Sequence, residues 1–113
     1  MKTKFPLYKR VTHMYRLGYD HLDEWESLGS ARITEPKVVS DEGWSRELRA
    51  VVEVPPDVLG RCPARDIRQA IEASLAYGCQ CEHDCCGHWA QHATAHRTKR
   101  REWSVELTQE KNV

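Results

Sequence analysis

This chain has no segment that would mark it as exported or membrane-spanning, and no familiar catalytic motif. Its first ten residues, Met1 to Arg10, contain no apolar core of the kind a secretory leader needs. No apolar run approaches the length of a bilayer-crossing helix, and charged residues make up 30% of the chain. Lysine plus arginine and aspartate plus glutamate both number 17, so the net charge is zero. A chain built for strong non-specific nucleic-acid binding is usually clearly basic, which places that class at a disadvantage. There is no Gly-rich phosphate loop, no GxSxG elbow and no HExxH pair. A zinc deaminase is unsupported as well, because no histidine-x-glutamate half precedes a Cys-x-x-Cys pair. Internal repeats and low-complexity linkers are absent. The reading is non-enzymatic, in a single domain covering 1–113 that is large enough for a core of its own.

Cysteine is scarce everywhere except one place. Four of the five cysteines fall in Cys79-Gln80-Cys81-Glu82-His83-Asp84-Cys85-Cys86-Gly87-His88, beside two histidines. Without an export signal these thiols stay reduced, and clustered reduced thiols favour metal over a disulfide framework. In extended backbone, side chains two apart point the same way. Cys79 with Cys81, and Cys86 with His88, are two such pairs, and a turn over 82–85 would bring them onto one zinc ion, with Cys85 as the alternative third thiolate. A second set takes Cys81, Cys85, His92 and His96, the last two one helical turn apart. Either set supplies four protein ligands, so the zinc would be structural rather than catalytic. Such sites contribute about 10–16 kcal/mol, ample to order a loop poor in apolar residues. The competing readings are a redox pair at Cys85 and Cys86, or thiols that are simply buried. Cys62 reads as a packing residue.

Residues 5–19 alternate with a two-residue period, as a strand with one buried face does. The acidic stretch 20–29 has Leu22, Trp25 and Leu28 at helical spacing, which suggests a short helical turn or connection closed by Gly29. Residues 31–40 form a second candidate strand, interrupted by Pro36. Asp41-Glu42-Gly43 has turn chemistry and joins it as a hairpin to a cleanly alternating strand over 44–54. Pro55 and Pro56 end that strand. A helix follows from Pro63, with Ile67, Ala70, Ile71, Ser74 and Leu75 as its apolar stripe and Gly78 as its stop. The last strand runs over 101–107. The expected fold is α+β: an antiparallel sheet of about four strands, one main helix, and a cysteine-rich metal loop over 77–92.

Arg97, Lys99, Arg100 and Arg101, followed by Trp103, form the one basic cluster. Basic groups beside an aromatic grip phosphate and stack on bases; the plainer reading is a solvated strand entry with Trp103 in the core. Asp20, Asp23, Glu24 and Glu26 lack the pattern of a divalent-cation site and read as a solvated acidic face.

The run Tyr77 to Trp89, with Lys99-Arg100-Arg101-Glu102-Trp103-Ser104-Val105 and the final Asn112-Val113, resembles small cysteine-rich proteins encoded by bacteriophages and mobile elements of proteobacteria. The resemblance covers roughly residues 61–113 and transfers no functional residue. It implies an accessory protein of the bacterial cytoplasm that binds a host protein or nucleoprotein complex, inhibition of a defence system included. The alternative is a small zinc-containing protein that binds nucleic acid directly through 97–101.

Overall fold

The computed structural model describes residues 2–14, 21–76 and 89–111. Six strands and two short helices follow one another: β1 (Thr3–Met14), β2 (His21–Ile33), β3 (Lys37–Asp41), β4 (Ser45–Glu53), α1 (Pro56–Arg61), α2 (Ala64–Leu75), β5 (Trp89–Lys99) and β6 (Glu102–Lys111). All six strands join one antiparallel sheet in the order β1-β2-β4-β6-β5, with β3 pairing to β4 beside that path. The expectation of about four strands and one main helix is therefore overturned. The described architecture is mostly antiparallel sheet, and its helices are brief.

The acidic stretch expected to form a helical turn is part of β2. Its apparent helical spacing arises from a bulge. Leu7 pairs with Gly29 and Tyr8 with Ser27, leaving Leu28 as an extra residue on β2. Leu28 is buried, whereas Trp25 is 60% exposed, so the two do not share one apolar face. Gly29 sits at this bulge with φ of +115°, a conformation that L-residues avoid. A Cβ there would also come within 2.9 Å of the Val58 side chain.

The Pro36 interruption is real: β2 stops at Ile33 and β3 begins at Lys37. Thr34 spans the gap in the ladder. Its amide donates to Val51 O at 2.9 Å and its hydroxyl accepts from Val51 N at 2.9 Å. The β3–β4 hairpin forms where the turn chemistry places it, with Gly43 at φ of +88° and its amide donating to Asp41 Oδ1 at 2.9 Å.

The two prolines that end β4 also open α1. Pro56 occupies its first turn beside Asp57, where a missing amide hydrogen and a negative charge are both favourable. Val58 is its one buried residue, and Arg61 ties the helix to the bulge by donating to Leu28 O at 3.0 Å. In α2 the expected stripe is buried at Ile67, Ala70 and Ile71. Fully buried Leu7, Val52, Val54, Val58, Ile67, Ile71, Trp103 and Val105 form the centre of the core. Each contributes about 1.5–3 kcal/mol through burial alone.

The strand β5 was not foreseen. The middle of its helix-facing side is small, with Ala93 packed against the core and Ala95 1% exposed beneath α2. The helix packs against both β1 and β5, the two strands that end the sheet path. Lys9 on β1 bonds Asp66 at 3.0 Å, and the amide of Ala95 on β5 donates to Glu72 Oε2 at 3.2 Å. The sheet curls far enough for one twelve-residue helix to cover both ends of it.

Candidate nucleic-acid interface

The basic cluster lies where β5 turns into β6. Arg97 is the ordered member. Its guanidinium stands 5.1 Å from the centroid of the Trp103 ring and donates to the backbone oxygens of Arg100, at 2.6 Å, and Lys99, at 3.4 Å. Flat cation–π stacking and two carbonyl acceptors hold it in place without cancelling its charge. Trp103 itself is 1% exposed. It is a floor for Arg97, and its ring is not open to a base, so the stacking half of the sequence argument fails.

Two helices add to this cluster, and no run of basic residues pointed to their contribution. One cavity of about 380 Å³ is lined by Pro56, Leu59 and Gly60 of α1 with Arg97, Arg100 and Arg101. A second of about 380 Å³ is lined by Arg65 and Arg68 of α2 with His96, Arg97 and Trp103 among its walls. Arg97 lines both, so the two hollows meet at its side chain and together carry five arginines drawn from three elements. Arg65 and Arg68 lie 32 and 29 residues before Arg97, which is why a scan for basic runs passes over them. Hydrophobic periodicity alone could have found them, since the buried stripe of α2 leaves both on its outer flank.

Carboxylates answer some of this charge. Glu72 lies 3.8 Å from Arg68, Glu102 lies 3.9 Å from Lys99, and Asp57 lies 3.7 Å from Arg61. Lys99 thus points its charge at Glu102 and does not line either hollow. Arg65, Arg97 and Arg100 have no carboxylate partner among the described residues. Arg101 and Arg32 act from a distance on Glu53. Its carboxyl is held below the ordinary carboxylate range, chiefly by the hydrogen bond and charge of Lys2.

Cys79, Cys81, Cys85, Cys86 and His88 lie outside the described residues. The second ligand set is overturned at its described end, because His92 and His96 are both in β5. At about 3.3 Å per residue they are roughly 13 Å apart, too far to share one ion. Residues 89–92 of the expected metal loop lie in β5, and 77–88 lie outside the described residues. Among the described residues, no group of three or more His, Cys, Asp or Glu could hold a metal. The places where the chain enters and leaves 77–88 stand side by side, because the Gln91 side chain donates to Leu75 O across the gap. Gln109 in turn donates to Gln91 Oε1 at 2.7 Å, which fixes that buried amide. Cys62 is half-buried against the core, as a packing residue is. No helix among the described residues is long and apolar enough to cross a membrane.

Comparison of the chain with protein-family models, with curated proteins and with solved structures returns no match.

Proposed function

We propose that this protein binds nucleic acid through the phosphodiester backbone, in the adjoining hollows formed by α1, α2 and the β5–β6 turn. One observation carries the proposal: five arginines from three separate elements line two adjoining hollows, and Arg97 is held where the two meet. Planar guanidinium groups suit bidentate contact with phosphate oxygens. The zero net charge favoured a protein partner in the sequence argument, but net charge is a sum. Five of the eleven arginines line these two hollows, and of these Arg65, Arg97 and Arg100 are without a carboxylate partner among the described residues, so the local charge is positive although the sum is zero. Because Trp103 is buried, no described aromatic residue lining these hollows is open to a base, so recognition is of backbone charge rather than sequence. Duplexes, with their higher charge density, are the better ligands. In the setting that the phage and mobile-element resemblance implies, the target would be nucleic acid within a host nucleoprotein complex.

The test is fluorescence anisotropy with a random-sequence duplex across a salt series. Binding should fall steeply with salt, and the Arg100→Ala/Arg101→Ala variant should lower the slope of log affinity against log salt by about two. Absence of binding at low salt, or a slope indifferent to both arginines, would end the proposal.

The zinc site belongs to the same proposal as a structural part. Its support is the ligand chemistry of Cys79, Cys81, Cys86 and His88, with Cys85 as alternative, between two chain ends pinned together by Gln91. Elemental analysis should find one zinc per chain, and chelation should lower the unfolding temperature. Metal-free protein of unchanged stability would leave a cluster of free thiols instead.

A further inference from the structure

The ribbon formed by β1 and β2 turns one face to α2 and the other to solvent. Leu7 is buried and Lys9 donates to Asp66 of α2 at 3.0 Å. The alternation of β1 therefore sends Lys4, Tyr8 and Arg10 to the opposite side, where all three are exposed. The ladder sets Lys4 beside Arg32, Tyr8 beside Ser27 and Arg10 beside Trp25. The bulge makes this possible. Its extra residue, Leu28, shifts the phase of β2, so that Trp25 and Ser27 share a face with Ser30 and Arg32. The same phase puts Glu24 and Glu26 on the other face, opposite Val11 and Lys9. A stretch that is acidic in sequence thus contributes to a basic and aromatic stripe. Thr12 and Asp23, the next pair outward, bring the first carboxylate of this register and end the stripe.

Tyr8 is 42% exposed and Trp25 60%. They are diagonal neighbours across the two strands, about 7–8 Å apart, a spacing that suits successive bases of an extended strand. Cations stand at both ends, Arg10 at one and Lys4 with Arg32 at the other. Lys4 and Arg32 lie side by side with no carboxylate partner among the described residues. Like charges so placed repel, and a phosphate between them would relieve the repulsion. Lys4, Ser30 and Arg32 also line a hollow of about 410 Å³. Two carboxylates share it, and each already has a cation: Glu53 has Lys2, and Asp57 has Arg61. A protein-binding patch would have an apolar centre poor in charge. This stripe contains no leucine, isoleucine, valine or methionine, so its complement is a polyanion that carries flat rings. We infer that the outer face of β1 and β2 binds single-stranded nucleic acid, with bases stacked on Tyr8 and Trp25 and phosphates held by Lys4, Arg10 and Arg32. None of these five residues lines the arginine hollows, so this surface is separate from the duplex site. A duplex keeps its bases inside and offers the two rings nothing to stack on.

The test is fluorescence anisotropy of a labelled oligodeoxythymidine, which forms no duplex, so its outcome is separate from that of the duplex measurement. The wild-type chain should bind the oligonucleotide at low salt. Trp25→Ala and Tyr8→Ala, both at exposed positions, should each weaken binding about tenfold with an unchanged circular dichroism spectrum. Trp25→Phe keeps a ring for stacking and should stay much closer to wild type. Lys4→Ala/Arg32→Ala should lower the slope of log affinity against log salt by about 1.4, the share of two phosphates on a single strand. Arg100→Ala/Arg101→Ala should keep most of the affinity for this strand. No binding at low salt would overturn the inference. So would an affinity indifferent to both Trp25→Ala and Tyr8→Ala, or a loss confined to Arg100→Ala/Arg101→Ala.

Discussion

The edges at β5 and β3 belong to the same sheet but have opposite surroundings. On β5 small side chains let a helix settle close, and Glu72 takes up the outward amide of Ala95. On β3 no described helix arrives, and all five side chains, Val38 and Val39 among them, are exposed. The difference teaches that β5 is closed by tertiary packing, whereas β3 is shielded only by its short length, its charged ends and its bulge. Nothing in the composition of β5 would block another strand; α2 does. It follows that whatever loosens α2 should turn a closed edge into an open one.

Ile71→Ala would break the contrast most severely. Ile71 is fully buried on the inner face of α2, and its truncation should cost about 2–5 kcal/mol. Chemical denaturation reads the loss, and hydrogen exchange at Ala95 should accelerate before β6 opens. Gly29→Ala comes next. The strain of a positive φ and the approach to Val58 should together cost roughly 1–3 kcal/mol. It acts on the β2 bulge and α1, so Ala95 should exchange at a rate set only by global unfolding. Glu72→Gln sharpens the contrast more gently. An amide oxygen still accepts from Ala95, while Arg68 loses its carboxylate, so stability should change by under about 1 kcal/mol. Duplex affinity should rise modestly, and a weaker affinity would show that Glu72 positions Arg68 for binding.

The smallest effect concerns pH. Glu53 has a carboxyl lowered by Lys2, so their pair contributes stability above the ordinary glutamate value, and that stability is lost as pH falls through the folded value. Both side chains are more than a third exposed, at 42% and 41%, so screening keeps the contribution slight. Lys2→Ala should flatten the acid limb of the stability curve a little and leave neutral behaviour unchanged.

Local patterns in the sequence were legible where one interaction dominates. The strand over 44–54, the Asp41–Gly43 turn and the buried stripe of α2 each follow from a single periodicity or backbone preference. The misreadings have equally local causes. A one-residue bulge put Leu28 out of phase and made a strand look helical. Prolines taken only as a stop were also a start, because the ring that ends a ladder suits a first helical turn. Low strand propensity hid β5, whose alanines are explained by the helix above them and not by their own preference. The basic cluster was found as a run, but its partners Arg65 and Arg68 reach it only through the packing of α2 on β5. The pairing of Arg97 with Trp103 brought a floor and not a stacking surface, a distinction that burial alone decides.

That floor gives the molecule an optical gauge. Trp103 emits from a dry interior with a guanidinium 5.1 Å from its ring centroid, whereas Trp25 and Trp44 stand in water. Its emission should lie to the blue of theirs and respond to the position of one cation. A ligand that draws Arg97 away from the ring would report its arrival as a change in brightness at the blue edge of the spectrum, without any label.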